Sequence, residues 1–133
     1  MVISVAHNDV RLTATLTFAD SGPLASKILF YGTVRGAFGA DPGTPPLVAI
    51  TLKKPCGTII DHALVLQQAA AGGDLITVQG SAVWARWVNG AGAIVGEGDV
   101  SDAAGTGVFK ISGTSVTLLY AGARAILGVT EVF

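Results

Sequence analysis

The stretch Trp84-Ala85-Arg86-Trp87-Val88-Asn89-Gly90-Ala91-Gly92 decides the fold class of this chain. Its first half is rich in aromatic and branched residues, which fit the pleated surface of a β-strand. Its second half supplies residues that tolerate a positive φ, as a tight turn between antiparallel strands requires. Because apolar residues resume at 93–95, the stretch predicts a β-hairpin with strands at residues 82–88 and 93–95.

Short apolar runs between glycine- and proline-rich turns recur along the rest of the chain. They predict further strands at residues 27–31, 48–52, 76–78, 108–111, 116–120 and 125–133. Residues 63–66 fit either a strand or a helical turn, and residues 33–46 and 69–73 are predicted to be loops.

The segment before residue 20 alternates with a period of two. Apolar side chains at Leu12, Ala14, Leu16 and Phe18 are interleaved with three threonines. This alternation predicts a strand over residues 11–18. A helix beginning at Asn8 is the alternative, but threonine is a poor helix former, which argues against it.

Together these elements predict one all-β domain over residues 1–133, a length close to the commonest domain size. Many short strands, glycine-rich turns and no long helix favour an antiparallel β-sandwich of the jelly-roll or immunoglobulin-like kind.

The composition indicates a surface with few charges. Charged residues make up 13% of the chain and hydrophobic residues 50%, with a mean hydropathy of +0.61. Ordinary soluble proteins carry about 25% charged residues, which help to keep copies apart. We therefore expect part of this surface to be covered by other subunits.

Charge and hydropathy also argue against two classes of partner. The net charge is -1 and the basic residues are scattered, so no basic stripe predicts nucleic-acid binding. The most apolar stretch, residues 116–129, is too short for a membrane helix and contains Arg124. The start of the chain lacks the pattern of a secretory signal, and the single cysteine cannot form an internal disulfide, so we expect synthesis in a reducing cytoplasm.

Trp84 and Trp87 are the candidate interface residues. Because they are three positions apart on a strand, they are predicted to point to opposite faces, one into the core and the other to the opposite face or an interface. A sugar-binding platform is the less favoured alternative, since the two rings cannot form one flat surface.

Other residue types suggest chemistry that their spacing does not support. Cys56, Asp61 and His62 are the residue types of a thiol hydrolase, yet a buried cysteine and a surface histidine are the expected roles. The acidic run Glu97, Asp99 and Asp102 lacks the spacing of a calcium loop and is predicted to be a solvated turn. We expect no catalytic residue, no cofactor and no metal site, and no enzymatic activity.

The order of segments resembles a family of small β-rich virion structural proteins of tailed bacteriophages and prophages. The similarity covers residues 27 to 133. It lies in Lys27-Ile28-Leu29-Phe30-Tyr31-Gly32-Thr33, which lacks the family's spacer before the glycine, in Leu47-Val48-Ala49-Ile50-Thr51-Leu52, in Gly80-Ser81-Ala82 leading into the Trp84 to Gly92 stretch, and in residues 115–133. At its N-terminus the family has a helix, whereas residues 11–18 are predicted here to form a strand.

The resemblance implies a virion component, either a capsid decoration protein or a tail accessory protein, assembled in the bacterial host cytoplasm. It implies protein partners, namely other copies of this chain and capsid or tail proteins, and it implies no catalytic site. The alternative function is a receptor- or carbohydrate-binding module of a phage tail.

Overall fold

A computed structural model describes residues 1–112 and 117–133 of the chain. In chain order its elements are α1 (Val5–Ala19), β1 (Lys27–Tyr31), β2 (Val48–Ile60), β3 (Ala63–Gln68), β4 (Asp74–Leu75), β5 (Gly80–Ser81), β6 (Trp84–Val88), β7 (Ile94–Ser101), β8 (Phe109–Ser112), β9 (Leu118–Leu119), β10 (Arg124–Leu127) and β11 (Glu131–Val132).

The predicted all-β class is confirmed, because most regular structure belongs to one large curled sheet. Among the described residues its strand order is β11-β3-β2-β1-β6-β7-β8-β10-β4, and β5 pairs separately with β9. Neighbouring strands are antiparallel except β7 and β8, which run parallel with Val100 opposite Phe109. The sheet is therefore mixed, and its curling gives the sandwich-like form.

The two ends of this sheet come together through Gln68 at the end of β3. Its amide donates to Asp74 Oδ2 at 2.7 Å and to the Ala125 carbonyl at 3.0 Å, and its Oε1 accepts from Leu127 N at 2.9 Å. One half-buried amide thus joins β3 to β4 and β10, with both its donor and its acceptor used.

The N-terminal prediction was wrong, because residues 5–19 form helix α1. Each threonine hydroxyl donates to the carbonyl four residues earlier, as Thr13 does to Asp9 at 2.9 Å and Thr17 does to Thr13 at 3.0 Å. This bonding satisfies the hydroxyls inside a helix. Leu12, Leu16 and Ala19 recur at helical spacing and contact the core, so burial of this face outweighs the weak helix propensity of threonine.

Both ends of α1 are satisfied locally. Ser4 is the N-cap, and its Oγ accepts from His7 N at 3.1 Å. At the other end Asp20 is the C-cap, and its Oδ1 accepts from Cys56 N at 2.9 Å. The helix end is thereby fixed to the middle of β2.

The core lies between α1 and the inner face of the curled sheet. Its largest fully buried members include Phe30, Ile28, Ile50, Leu52 and Leu64. On β1 the inner positions alternate with positions on the other face, as the pleat requires.

The predicted hairpin at residues 82–95 is confirmed, with strands β6 and β7. Asn89 organises the turn, because its Oδ1 accepts from Ala91 N at 3.0 Å and from Ala93 N at 2.9 Å. Gly92 has a φ of 86°, so the turn uses the freedom of glycine at that position.

Several strand boundaries differ from the prediction. β2 does not stop at residue 52 but continues through an irregularity between Leu52 and Gly57 that contains a cis Lys54–Pro55 bond. β7 extends to Ser101, and the strand predicted at 76–78 is replaced by β4 at Asp74–Leu75.

Residues 63–66 belong to strand β3, and residues 125–133 contain β10 and β11 with a break between them. The start of the strand predicted at 116–120 lies outside the described residues, and β9 covers Leu118–Leu119.

Strands β2 and β3 meet in a two-residue turn. Asp61 has a φ of 49° and His62 a φ of 66°, and Ile60 is paired with Ala63. Positive φ at both central residues is what the right-handed twist of a short hairpin favours. In the part of the chain that the structure describes, no helix is long and apolar enough to span a membrane.

Candidate functional site

The central strands carry a polar and aromatic layer on the face turned away from α1. Tyr31 is paired with Trp84 across β1 and β6, and Arg86 is paired with Glu97 across β6 and β7. Because side chains alternate along a strand, these residues share one face, and Trp87 lies on the opposite, core-facing side. We call the side of Tyr31, Trp84, Arg86 and Glu97 the outer face.

The prediction that the two tryptophans point to opposite faces is confirmed, with Trp87 in the core and Trp84 on the opposite face. Trp84 is 2% exposed and Trp87 is 3% exposed, so one chain alone removes both rings from solvent. Trp87 belongs to the core cluster. Trp84 stacks on Tyr31, with ring centroids 4.6 Å apart and an interplanar angle of 22°, on the outer face. The spacing of the two tryptophans predicts the face on which each ring lies, but it does not predict that the ring on the outer face is buried.

An ion pair between Arg86 and Glu97 lies beside the stacked rings. Arg86 Nε is 2.6 Å from Glu97 Oε2, and the side chains are 11% and 3% exposed. The guanidinium carbon of Arg86 is also 5.4 Å from the centroid of the Trp84 ring, within range of a cation–π contact. Burying two charges is costly, and the cost is offset by their mutual attraction and by hydrogen bonds to their remaining polar atoms.

Those further bonds come from the loop of residues 33–46, which we call the outer loop. Arg86 Nη2 donates to the Ala40 carbonyl at 2.6 Å, and Gly39 N donates to Glu97 Oε2 at 3.3 Å. A second, exposed pair joins Arg35 to Asp99 at 3.5 Å. The outer loop is thus held to the sheet by backbone and side-chain contacts along its length.

The outer loop presents apolar side chains to solvent. Val34 is 93% exposed and Phe38 is 71% exposed. A cleft of about 320 Å³ lies beside them, lined by Arg35, Gly36, Phe38 and Glu97. Large apolar side chains on a loop with fixed anchor points form a surface suited to a protein partner, because little conformational entropy remains to be lost on binding.

Sequence reasoning did not single out this surface. The hairpin turn alone does not reveal the ion pair, because regular counting from the Val88–Ile94 pair would place Gly96 opposite Arg86. A register shift after that pair brings Glu97 opposite Arg86 instead. What the sequence lacks is any local pattern that would bring residues 39 and 40 onto that pair.

The cysteine and histidine of the hydrolase hypothesis have structural roles. Cys56 is fully buried, and burial, together with the nearby Asp20 carboxylate, raises the pKa of its thiol from 9.0 to about 12. A nucleophilic cysteine needs the opposite shift. His62 is exposed in the β2–β3 turn, and its Nδ1 is 3.0 Å from Asp9 Oδ2 of α1. The geometry therefore gives Cys56 no means of activation.

The acidic run is not the solvated turn that we predicted. Glu97 and Asp99 lie on β7, where Glu97 is committed to Arg86 and Asp99 to Arg35. Asp102 Oδ1 accepts from Ala104 N at 3.1 Å. Within the described ranges, no group of three metal-binding side chains is brought together.

Burial also restricts the tryptophan-based sugar platform. Such a platform requires at least one ring exposed beside polar side chains, and both Trp84 and Trp87 are enclosed. Burial of the hydroxyl-bearing ring of Tyr31 has a further consequence, since it raises the pKa of the phenol against the opposing effect of Arg86.

Comparison of the chain with protein-family models, curated proteins and solved structures finds no match. Function must therefore be inferred from the geometry and from the sequence resemblance described above.

Proposed function

We propose that this chain is a structural protein of a bacteriophage virion, a capsid decoration protein or a tail accessory component that works through protein–protein contacts rather than catalysis. The observation that carries the proposal is the outer loop, because it fixes Val34 and Phe38 in exposed positions over a buried ion pair. The partners would be capsid or tail proteins and other copies of the chain, within particles assembled in the bacterial host cytoplasm.

The rest of the surface supports the same proposal. Large apolar side chains are also exposed in connecting segments and near the C-terminus, including Leu24, Val83, Val129 and Phe133. A chain with 13% charged residues gains little protection from charge repulsion between copies. Exposure of this kind is expected for a protein whose working form is an assembly.

The proposal does not include nucleic acid or membrane among the partners, in line with the scattered charges and the net charge of -1. Sugar recognition through Trp84 or Trp87 is not put forward, since neither ring is exposed.

The test is quantitative mass spectrometry of purified particles from cells that produce the chain with a Phe38→Asp substitution. We expect the wild-type chain in the particles, and at least about 10-fold less of the variant, since a charge at the centre of an apolar contact removes a hot spot. Val10→Asp is the matched control, because Val10 is 68% exposed on α1, away from the outer face. Absence of the wild-type chain from particles would overturn the proposal.

A further inference from the structure

The curled sheet contains a seam where β8 and β11 separate instead of pairing. The two segments touch at one point, where Gly128 N donates to the Lys110 carbonyl at 2.9 Å and Lys110 N donates to Thr130 Oγ1 at 3.1 Å. Beyond it, β11 pairs with β3 while Phe109 of β8 pairs with β7, and no ladder joins β8 to β11 in the described part of the chain. We call the wedge between residues 106–109 and residues 131–133 the seam.

Two grooves lie at the seam. A groove of about 440 Å³ opens at the surface and is lined by Thr106, Val108, Val129 and Phe133 among others. A second groove of about 250 Å³ is lined by Val108, Phe109 and Val132 and reaches Trp87 and Gly96 on the core side. A side chain added at Gly96 would meet no atom within 4 Å. Val108 lines both grooves, so the two grooves adjoin at this residue.

The walls of the seam are largely apolar but include the charged residues Lys110 and Glu131, and they have an open strand edge. Val129 is 70% exposed and Phe133 is 79% exposed. The amine of Lys110, which also borders the seam, is already bonded to Ser101 Oγ and to the Gly105 carbonyl. Among the described strands β11 pairs with β3 alone, so its other edge is open to a further strand. An open edge beside an apolar groove is the usual site for addition of an extended segment.

The N-terminal segment of the chain has the properties that such a site requires. Residues 1–4 precede α1 and lie outside any regular element, and Ser4 has extended backbone angles, φ -70° and ψ 158°. Met1 and Val2 are fully exposed, and Ile3 is half-buried. Met-Val-Ile-Ser carries no charged side chain and contains two β-branched apolar residues, which favour a strand. We call residues 1–4 the arm.

We propose that the arm of one copy inserts as an extended strand into the seam of a second copy and extends the sheet beyond β11. Alternation along the arm would place Ile3 on one side of the inserted strand and Val2 on the other, and the two grooves that adjoin at Val108 would receive them. Since arm and seam are different surfaces, the contact is heterologous, and repeated use of it gives a ring or a filament. This inference shares one requirement with the proposed function, namely that the chain assembles with other copies or proteins, and it does not require a virion.

The experiment mixes two full-length variants, each with one half of the contact removed. Ile3→Asp alters the arm and leaves the seam intact, and Val108→Asp alters the seam and leaves the arm intact. Each is measured alone and in an equal mixture by sedimentation over a range of protein concentrations. Val10→Asp is again the control, because Val10 is exposed on α1 and belongs to neither surface.

We expect the wild type and the control to self-associate. The association constant of each seam or arm variant should be at least about 30-fold lower, which is the size of change expected when a hot-spot contact is lost. The equal mixture should form one-to-one pairs and nothing larger, because one intact arm and one intact seam remain. Circular dichroism of each variant checks that it is folded. A wild type that stays monomeric at millimolar concentration, a variant that associates as well as the wild type, or a mixture without pairs would each overturn the inference.

The outcome is separable from that of the proposed function. If the copies do not associate while purified particles contain the chain, arm exchange is wrong and the virion role stands. If copies exchange arms while particles lack the chain, the virion role alone is wrong.

Discussion

Arg86 Nε and Glu97 Oε2 lie 2.6 Å apart on the outer face of the sheet, and each of these side chains also bonds the backbone of the outer loop. The pair therefore joins strands β6 and β7 to residues that are more than 40 positions away from Arg86 along the chain. The β6–β7 hairpin positions the Arg86–Glu97 pair, and this pair holds the outer loop that carries Phe38. The position of Phe38 therefore depends on the turn at Asn89.

Replacing Arg86 by methionine should destabilise the fold strongly. The change leaves the Glu97 carboxylate buried without its cation, a loss that generally amounts to about 3–5 kcal/mol. Glu97→Met should also destabilise, and the double variant Arg86→Met with Glu97→Met should be less damaging than the sum of these two single changes. Urea unfolding measures each free energy.

The matched control is Arg35→Met, which removes the exposed partner of Asp99. We expect a change within about 1 kcal/mol, because solvent screens exposed pairs. If Arg86→Met were as mild as Arg35→Met, the buried pair would not hold the outer loop.

Stability should fall in alkaline solution because of Cys56. The pKa of the thiol is about 12 in the fold and 9.0 in its ordinary state, so between these pH values the unfolded chain loses a proton that the fold keeps. The contribution is fully present below pH 9 and is lost as the pH rises toward 12. Burial of Tyr31 acts in the same direction.

Comparison with Cys56→Ala isolates this effect. The urea midpoint of the variant should fall less between pH 8.5 and pH 11 than that of the wild type, while the Tyr31 contribution is common to both. Iodoacetamide at neutral pH should label Cys56 only after unfolding. Rapid labelling of the folded chain would contradict the burial of the thiol.

Thr13→Ala should stabilise the chain slightly, by about 0.3–0.7 kcal/mol, because Thr13 is exposed on a helix and alanine is the better helix former. A strand at residues 11–18 would give the opposite sign, since threonine is favoured there. Thr51→Ala in β2 provides that comparison and should destabilise. Thermal unfolding of the two variants gives the signs, and a loss of stability in Thr13→Ala would contradict α1.

A methyl group at Gly90 should be poorly tolerated. A Cβ at this position would overlap the Leu24 backbone carbonyl, which a rigid turn cannot move aside. We expect Gly90→Ala to lower stability by about 1–3 kcal/mol, as overpacking does. Gly96→Ala is the control, since a Cβ there meets no atom within 4 Å, and it should be neutral in the same unfolding measurement.

Local signals in the sequence predicted a large part of the fold. The Asn89-Gly90-Ala91-Gly92 turn defines a hairpin by itself, and Lys27–Tyr31 forms a strand as its apolar residues indicate. These elements are set by turn chemistry and alternation, which a sequence displays directly.

The helix was missed because two periods coincide in it. Leu12 and Leu16 fit an alternation of two and a helical spacing of four equally well, and the threonines favoured the first. The structure resolves the ambiguity through contacts that are distant in the sequence, since Leu12 is buried in the core and Asp20 bonds to Cys56 N. Tertiary burial overrides propensity here.

The candidate site was only partly predictable for a related reason. The register of the hairpin places Arg86 beside Glu97, but the docking of residues 39 and 40 depends on hydrogen bonds between distant parts of the chain. Trp84, for which the opposite face or an interface was predicted, lies on the opposite face, where it is buried and contacts Tyr31 and Arg86.

The most direct test of the central claim is an electron-microscopy density map of purified particles from a host that produces this chain. We expect the chain at repeated positions in the particle, with the Phe38 side chain of the outer loop enclosed by a neighbouring protein. Particles whose map contains no density for the chain, or in which the outer loop faces solvent at every copy, would contradict this claim.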